Sequence, residues 1–450
     1  MTHKKHIIIL AAGAGTRMRS NKPKVLQPVA GRAMIEHVLA TAQALKPNNI
    51  SIVYGYRGDQ LRSHLRYENI QWVEQTEQLG TGHAVQMALP QIADDETVLV
   101  LYGDAPLITV EDLQALEDKR TVLTAEVDDP SGYGRIVRGK TGIEAIVEEK
   151  DANTEQKAIQ EINSGIIQAA ATELKQWLKQ IDQNNAQGEL YLTDVIGIAA
   201  QAGQPFLPVK LQDSNSVKGA NTMQQLAELD AIMQTRYRNS LMQSGVCLQQ
   251  PENISIQGQI QCDADVVIET GAVLKGENKF GEGVVIGAYS VIENCQLAAG
   301  TVVEPHSVLQ EVVTTGACSI GPFARLRPGT QLSTGCKVGN FVETKKAIFG
   351  ENSKASHLSY LGDAEIGDEV NIGAGTITCN YDGVNKFKTV IEDGAFIGSD
   401  SQLVAPVTIG ENATIGAGST ITKDTPANQL TVSRSRQKSI SDWQRPKKKV

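Results

Sequence analysis

A glycine-rich turn with a lysine close behind it is the first part of the chain whose residue types could do chemistry. The apolar run Ile7–Leu10 leads directly into Gly13 and Gly15, and Lys24 follows. In such a turn, backbone N–H groups can approach anionic oxygens. Met18 stands where the dinucleotide fingerprint has its third glycine, and no Gly-Lys-Ser/Thr of a P-loop follows. Two glycines alone would indicate only a tight turn, but the basic residues that follow favour a phosphate-binding loop.

An acidic residue ends another apolar run. Val98–Leu101 is typical of a buried strand, and Tyr102-Gly103-Asp104 follows it. Open α/β sheets bind ligands in the crevice outside the carboxyl ends of their strands. Mg²⁺ prefers a carboxylate plus substrate phosphates to a cage made only of protein ligands. Asp104 is therefore predicted to be a metal ligand; the structural alternative is the N-cap of a helix near Thr109, which lies further along the chain.

Three basic residues and a histidine are the candidates in the C-terminal part. Arg327, Lys345 and Lys386 could gather around a phosphate, and the imidazole of His357 could act as a base near neutral pH. A catalytic zinc site of three histidines is disfavoured, because only His306 and His357 occur past residue 240. These residues therefore predict an anion site with a neighbouring base.

The segments that carry these candidates interrupt an apolar repeat with a period of six. Near the end of the chain the repeat runs through Ile397, Leu403, Ile409, Ile415 and Ile421. Neither a helical face nor strand alternation has this period. A short strand and a tight corner, three times per coil, explains it, with each sixth side chain inside a triangular prism. Residues 245–450 are predicted to form a left-handed parallel β-helix of about ten coils, with loops at 338–366 and 380–386.

The rest of the chain supplies the elements that must position the first two candidates. Up to about Ala220 the chain alternates strand and helix patterns, which is typical of a Rossmann-like doubly wound sheet. From Thr222 to Met242 apolar residues recur three or four apart, and Gly245 supplies a stop, so one long helix is predicted. The predicted domains are residues 1–223, a helical linker at 224–244, and the β-helix at 245–450.

Composition excludes several function classes. The formal net charge of −9 argues against broad nucleic-acid binding, which needs a basic face. No apolar run approaches the length that spans a membrane, and Ile7–Ala12 is too short for a signal peptide, so a cytoplasmic protein is expected. All six cysteines lie in the C-terminal part without a Cys-x-x-Cys pair, and they are expected to be reduced and buried.

The N-terminal turn resembles the signature of the sugar-1-phosphate nucleotidyltransferases, Leu-x-x-Gly-x-Gly-Thr-x-Met followed by Pro-Lys. The matching residues are Leu10, Gly13, Gly15, Thr16, Met18, Pro23 and Lys24. Some relatives have a lysine where this chain has Ala14, so one phosphate contact is expected to be absent. With the C-terminal segments included, the whole chain resembles the family of bifunctional uridyltransferase/N-acetyltransferases that make UDP-N-acetylglucosamine.

This resemblance implies that the N-terminal part joins N-acetylglucosamine-1-phosphate to UTP and releases pyrophosphate. Lys24 and Arg17 would offset phosphate charge, and Asp104 and Asn221 would hold Mg²⁺, although Asn221 alone would be taken for a helix cap. Nucleotide binding is assigned to Leu10, Ala11, Ala12, Gly13, Lys24, Gln75, Gly80, Thr81, Tyr102 and Asp104. Sugar phosphate binding is assigned to Gly134, Glu148, Asn163 and Asn221.

The resemblance also implies that the C-terminal part acetylates glucosamine-1-phosphate with acetyl-coenzyme A, with His357 as general base. Glucosamine-1-phosphate binding is assigned to Arg327, Lys345, Tyr360, Asn371 and Lys386. Acetyl-coenzyme A binding is assigned to Ala374, Asn380, Tyr381, Ser399, Ala417 and Arg434. A homotrimer with its acetyl-transfer sites between neighbouring prisms is expected, and the product would feed peptidoglycan and lipopolysaccharide synthesis. The tail Lys447–Lys449 is expected to be solvated, or else to help hold the anionic coenzyme.

Two other interpretations compete with a two-site enzyme. One is a nucleotidyltransferase whose β-helix only regulates or oligomerises. The other is a non-catalytic scaffold, like the exchange-factor subunits of translation initiation. Lys24 and Asp104 argue against the scaffold. The basic residues around His357, together with the length of the β-helix, argue against a purely regulatory role.

Overall fold

The computed structural model describes residues 4–13, 15–67, 69–117, 119–446 and 448. It contains two compact units, Met1–Gln234 and Thr235–Val450. The division falls inside one helix, Met223–Gln243, so the predicted boundaries of a separate linker stay a prediction. Ala14 of the phosphate loop, and Lys447 and Lys449 of the basic tail, lie outside the described residues.

The first unit is built on a central sheet whose strands run in the order β11-β7-β10-β6-β1-β4-β5. Neighbouring strands pair in parallel except for β10, which is antiparallel to both β6 and β7. Strands β8 and β9 extend the sheet from β10, and β2 and β3 form a separate pair. The strands are β1 Lys4–Ala11, β2 Pro28–Val29, β3 Arg32–Ala33, β4 Asn49–Tyr54, β5 Ile70–Glu74, β6 Glu96–Tyr102, β7 Thr121–Glu126, β8 Arg135–Arg138, β9 Ile143–Val147, β10 Glu161–Ala170 and β11 Leu207–Lys210.

Apolar clusters cover both faces of this sheet. Ile7 and Ile9 of β1 belong to one cluster and Ile8 to the other. Strands buried on both faces are continuously apolar, so the predicted doubly wound fold is confirmed. The helices are α1 Met34–Ala44, α2 Gly58–His64, α3 Thr81–Ala88, α4 Val110–Gln114, α5 Thr154–Lys157, α6 Ala171–Trp177, α7 Asp194–Gln201 and α8 Met223–Gln243, with 3₁₀ turns at Thr16–Met18, Lys24–Leu26, Leu89–Gln91, Ser214–Val217 and Pro251–Asn253. Within the described part of the chain, no helix has the length and apolar character to cross a membrane.

The second unit is a parallel β-helix, as the period of six predicts. One face stacks eleven strands, Cys247–Leu248, Val267–Ile268, Val285–Ile286, Val302–Val303, Ser319–Ile320, Lys337–Asn340, Lys354–His357, Asn371–Ile372, Phe396–Ile397, Thr414–Ile415 and Leu430–Thr431. A fifteen-stranded sheet covers the other two faces. It continues around the corner between them because some long strands pair with two shorter strands, one on each face, as Val273–Phe280 does with Val291–Glu293 and Gln296–Leu297. Its strands are Ser255–Cys262, Val273–Phe280, Val291–Glu293, Gln296–Leu297, Val308–Gln310, Val313–Thr314, Arg325–Leu326, Gln331–Leu332, Glu343–Phe349, Tyr360–Ile366, Ile377–Cys379, Thr389–Ile391, Gln402–Val404, Val407–Ile409 and Thr420–Ile421.

The predicted loop between residues 338 and 366 is wrong. This segment continues the prism, with Thr344, Phe349, Ala355 and Leu361 fully buried. The repeat is hard to see there because one spacing between inward residues in each coil is five residues instead of six, as from Thr344 to Phe349. Thr344 and Ala355 also stand at inward positions in place of isoleucine, leucine or valine, which hides the repeat.

The second predicted interruption, around residues 380–386, is confirmed. Lys354 pairs with Asn371 on the next coil, and Asn371 pairs with Phe396, so the second of these two coils is the longer. The longer coil carries a loop between the strands Ile377–Cys379 and Thr389–Ile391. One antiparallel bridge, between Tyr381 and Lys386, closes this loop on itself.

Small residues follow the inward aliphatic residues because the next coil passes close to the corner. A Cβ atom added to Gly398 would lie 2.5 Å from the backbone nitrogen of Ala417 and 2.6 Å from the carbonyl oxygen of Ile415. All six cysteines are free thiols. The expectation of burial holds for Cys295, Cys318 and Cys336, but Cys247 is exposed, and Cys262 and Cys379 are half-buried.

Phe349→Ala tests whether the disputed segment belongs to the core. Phe349 is fully buried at an inward position, so its truncation should lower the free energy of unfolding of the β-helix by about 3–5 kcal/mol. Denaturant unfolding of the full chain would measure this change. Phe396→Ala is the matched control, because Phe396 is 49% exposed, and its effect should stay below about 1 kcal/mol. Equal effects of the two substitutions would contradict the assignment.

Candidate active sites

A cavity of about 310 Å³ lies at the carboxyl ends of β1 and β6. All ten residues predicted to bind nucleotide line it, although they come from four separate segments of the chain. Val25 and Gln78 also line it and were not predicted from the sequence; Ala84 and Glu189 line it as well, and neither was given an individual role. The sequence-predicted nucleotide residues are thus brought together on one concave surface.

Local packing explains why the lysine follows a glycine-rich turn. Gly15 has a φ of 61°, and a Cβ atom added to it would lie 2.6 Å from the Cβ atom of Lys24. A glycine at this position therefore lets the lysine stem lie against the turn. Arg17, predicted to offset phosphate charge, is exposed on the 3₁₀ turn Thr16–Met18 and is not among the cavity-lining residues.

The Lys24 ammonium group joins the two predicted metal ligands. It forms an ion pair with Asp104 and donates a hydrogen bond of 2.7 Å to Asn221 Oδ1. Thr222 Oγ1 accepts a hydrogen bond from the backbone N–H of Gln225 in the first turn of α8, so the Asn221 side chain is free to face Lys24. Asp104 is not a helix cap either, because Thr109 caps α4.

These oxygen atoms suit a hard divalent cation. A carboxylate and an amide oxygen converge on one positive charge, the Lys24 ammonium group. Mg²⁺ is usually held by one or two such protein oxygens together with substrate phosphates. Among the residues that the structure describes, no cluster of three or more His, Cys, Asp or Glu side chains could hold a metal ion. A two-ligand site completed by substrate is the arrangement these residues fit.

The segment after β5 closes the cavity from another side. Gln75 Nε2 donates a hydrogen bond of 3.1 Å to the carbonyl oxygen of Gly80. The backbone N–H of Gly82 donates to the carbonyl oxygen of Leu190, and Leu190 N–H donates to that of Leu79, so two distant segments hold each other. Gln78 Nε2 donates to the carbonyl oxygen of Ala12 at 3.1 Å and ties this segment to the glycine-rich turn. No spacing in the sequence distinguishes Gln78 from its neighbours.

Three of the four residues predicted to bind the sugar, Gly134, Glu148 and Asn163, form a cluster, and the fourth, Asn221, faces Lys24. A Cβ atom added to Gly134 would lie 3.3 Å from both carboxylate oxygens of Glu148, and the Asn163 N–H donates to the carbonyl oxygen of Gly134. Burial raises the pKa of Glu148, while a hydrogen bond from Thr193 partly opposes that rise. Thr193, which the sequence analysis did not single out, therefore orients this carboxyl group.

Asp194 gives this region a second perturbed carboxyl group. Burial raises its pKa to about 6, and the negative charges of Asp182, Glu148 and Asp151 contribute to this rise. A carboxyl group whose folded-state pKa is raised favours folding in its protonated form, and this contribution is lost as the pH rises through about 6. At neutral pH the Asp194 carboxylate, which is partly buried near other negative charges, therefore opposes folding.

In the second unit, the imidazole of His357 is held by one specific contact. His357 Nδ1 lies 2.6 Å from Asn340 Oδ1, and the two residues pair across neighbouring strands. Because an amide oxygen only accepts hydrogen bonds, Nδ1 carries the ring proton and Nε2 keeps its lone pair. His357 is exposed, so this lone pair is available to a substrate. Asn340 is a positioning residue that the sequence analysis missed.

The three predicted phosphate-binding cations also come together. The positive charge of Lys386 lowers the pKa of the exposed Lys345 ammonium group, and the charge of Arg327 lowers it further by a smaller amount. Arg327 donates a hydrogen bond of 2.9 Å to Glu343. Three cations gathered this closely repel each other, and a bound anion would relieve that repulsion.

The remaining predicted residues lie on the loop and along one corner of the prism. Asn380 is buried and donates a hydrogen bond of 2.6 Å to Asp363, another residue that the sequence analysis missed. The predicted coenzyme residues lie on successive coils along one corner. The backbone N–H groups of Asp400 and Gly418 donate to the carbonyl oxygens of Ala374 and Ser399, one coil earlier. The Arg434 guanidinium group donates to the carbonyl oxygen of Ala417 in the same way. Tyr360 lies beside Gly362 next to Asn380, Tyr381 is exposed on the loop, and Asn371 begins a strand on the His357 face.

Comparison with known proteins identifies the family. The bifunctional protein GlmU of Xanthomonas euvesicatoria pv. vesicatoria (strain 85-10) is 54% identical over 454 residues, which cover 100% of both chains. The GlmU proteins of Stenotrophomonas maltophilia (strain R551-3) and Xanthomonas axonopodis pv. citri (strain 306) are 52% and 53% identical, again over 100% of both chains. The chain belongs to the GlmU family.

Two domain families match within the chain. The MobA-like NTP transferase domain matches residues 7–134, which include the phosphate loop and Asp104. The bacterial transferase hexapeptide family, with six repeats, matches residues 388–423 of the β-helix. The predictions of a bifunctional enzyme with a nucleotidyltransferase part and an acetyltransferase part are therefore confirmed.

Proposed function

We propose that the first unit transfers uridylate from UTP to N-acetylglucosamine-1-phosphate and releases pyrophosphate. The observation that carries this proposal is the convergence of all ten predicted nucleotide-binding residues on one cavity. The cavity supplies a glycine-rich turn for phosphates and a polar segment, Gln75 to Thr81, for the base. The cluster of Gly134, Glu148 and Asn163 supplies hydrogen-bonding groups for the sugar.

In this reaction the protein aligns two anionic substrates and offsets their charge, because no covalent step falls to a side chain. Asp104 and Asn221 would hold Mg²⁺, which supplies charge neutralisation at the phosphates when bound. Lys24, which contacts both of these residues, would add a positive charge beside the phosphates. Arg17, on the exposed turn, would reach the substrate from outside the cavity.

Asp104→Ala should lower uridyl transfer by about 10²–10³-fold or more, the effect of removing a main electrostatic stabiliser. Pyrophosphate release from UTP and N-acetylglucosamine-1-phosphate would measure it. Acetyl transfer by the same variant should stay near normal, since the residues proposed for it belong to the other unit. Asp59→Ala, which removes an exposed carboxylate of the first unit, is the matched control. If both activities of Asp104→Ala fell together in a folded protein, separate sites would be excluded.

The second unit is proposed to acetylate the amine of glucosamine-1-phosphate with acetyl-coenzyme A. The amine attacks the thioester carbonyl carbon and loses a proton as the C–N bond forms, and the C–S bond breaks to release the coenzyme as a free thiol. His357 Nε2 would take that proton, and this role is supported by the contact of Asn340 with the other ring nitrogen. Arg327, Lys345 and Lys386 would bind the sugar phosphate, with Tyr360 and Asn371 beside it. Asn380 and Tyr381 would meet the acetyl group, while Ala374, Ser399, Ala417 and Arg434 would follow the coenzyme along the corner.

A purely regulatory β-helix is the alternative that these contacts disfavour. A regulatory or oligomerising solenoid needs neither an oriented imidazole nor three cations that repel one another. The second unit has both features. An anionic substrate and a base-assisted step account for the two together.

His357→Ala should lower the kcat of acetyl transfer by about 10²–10⁴-fold, the usual effect of removing a positioned base. Free thiol released from the coenzyme would report the rate, and uridyl transfer in the same variant is the internal control. Asn340→Ala keeps the imidazole but removes its acceptor, so it should lower kcat by a smaller factor and alter the pH profile. Near-normal acetyl-transfer turnover of His357→Ala across neutral pH would remove His357 from the mechanism.

A homotrimer is proposed as the working assembly. Exposed rings form a continuous stack along one corner of the β-helix: Tyr289, His306, Phe323 and Phe341, with centroids 5.4, 5.0 and 5.4 Å apart. Leu358, 61% exposed, lies beyond Phe341. Exposed apolar stripes of this kind mark association surfaces. Phe341 and Leu358 directly follow Asn340 and His357 in the sequence, so a copy of the chain on this stack would also cover the acetyl-transfer site.

Phe323→Asp should dissociate the trimer, because it places a charge in the middle of the apolar stack. Sedimentation equilibrium would show the change in mass, and acetyl transfer should fall while uridyl transfer persists. Ile348→Asp, at a residue 43% exposed on another face, should leave the mass unchanged. A wild-type monomer that still transfers acetyl groups would contradict the proposal of shared sites.

The predicted cytoplasmic location stays a prediction.

A further inference from the structure

Lys24 stands between the two oxygen atoms that a metal ion would need. Its ammonium group contacts both Asp104 Oδ2 and Asn221 Oδ1. The lysine side chain is 13% exposed and that of Asp104 21% exposed, so both groups are largely shielded from solvent. Gly15 holds the lysine stem in this position by allowing it to pack against the turn. The contact is therefore a built feature of the site.

A metal ion that bound both Asp104 Oδ2 and Asn221 Oδ1 would have to occupy the space where the Lys24 ammonium group now lies. Mg²⁺ binds oxygen at about 2.0–2.1 Å and demands a nearly octahedral arrangement. An ammonium group between the two ligands fills the space into which a divalent ion would have to fit, and two positive charges at that distance repel each other. Lys24 would therefore have to leave this space before a metal ion could take both oxygens as ligands.

We propose that Lys24 is a resting counter-ion that blocks the metal ligands until nucleotide arrives. This proposal rests on the metal site given under the proposed function. In the free protein the ammonium group satisfies Asp104 and Asn221. Substrate phosphates at the glycine-rich turn offer the ammonium group a new anionic partner, and its release from Asp104 and Asn221 exposes both oxygens together. Metal and nucleotide binding are then coupled, and each strengthens the other reciprocally.

Mn²⁺ binding to the nucleotide-free, full-length protein tests whether Lys24 blocks the metal ligands, without any activity assay. Electron paramagnetic resonance of free Mn²⁺ would give the dissociation constant for the wild type and three variants. Lys24→Met should bind Mn²⁺ about 10-fold more tightly or better, because a charge-assisted contact no longer has to be broken. Lys22→Met is the matched control: it removes the same charge from an exposed residue two positions away, and it should change the affinity by less than about 3-fold.

Asp104→Ala separates the two possible failures. If Asp104→Ala binds Mn²⁺ as tightly as the wild type does, the proposed metal site itself is wrong. If it does weaken binding, but Lys24→Met binds no more tightly than Lys22→Met, the site stands and the blocking role of Lys24 is overturned. Failure of Lys24→Met to bind Mn²⁺ at all also overturns it.

A second measurement uses the wild type and so avoids any folding defect of a variant. Competitive labelling of amines with acetic anhydride, read by mass spectrometry, reports how freely the Lys24 amine reacts. With Mn²⁺ alone at saturating concentration, labelling of Lys24 relative to Lys22 should rise, because the ammonium group has left its two partners. An unchanged ratio at full Mn²⁺ occupancy would contradict the proposal.

Discussion

Parallel strand pairing is the constraint on which both sites depend. It brings residues that are far apart in the sequence to the same level of a sheet, and their side chains then meet at one edge or corner. In the first unit, Leu10 pairs with Tyr102 across β1 and β6, so the glycine-rich turn and Asp104 leave the sheet side by side. In the second unit the same rule pairs Asn340 with His357, one coil apart. Each site is thus a product of strand register.

This dependence explains which parts of the fold could be predicted from the sequence. Ile7–Leu10 and Val98–Leu101 are continuously apolar because both faces of their strands are covered, and this pattern is visible without a structure. The period of six from Ile397 to Ile421 is visible because each inward position in that stretch holds a buried isoleucine or leucine. Shortened spacings and an inward Thr344, which hydrogen-bonds to Thr330, hide this period in the middle of the prism.

The sites were predictable only where a residue type carries its own chemistry. Lys24, Asp104 and His357 are charged or basic groups beside recognisable strands, so their chemical roles can be inferred before their contacts are known. Gln78, Thr193, Asn340 and Asp363 act through a hydrogen bond to another residue, and nothing in their spacing reveals that partner. Such positioning groups become visible only once the strands are in register.

The loop on the longer coil has a consequence for how this kind of protein can change. Solenoid coils contact only their neighbours, and the coil that runs from Asn371 to Phe396 exceeds the one before it by the length of this loop. Asn380, Tyr381 and Lys386 all lie on that one excursion. Its excision would remove these three proposed contact residues together, while His357 and its partner Asn340 lie on other strands. The substrate contacts of the site can therefore change with the sequence and length of one loop, while the coils that hold the imidazole keep their register.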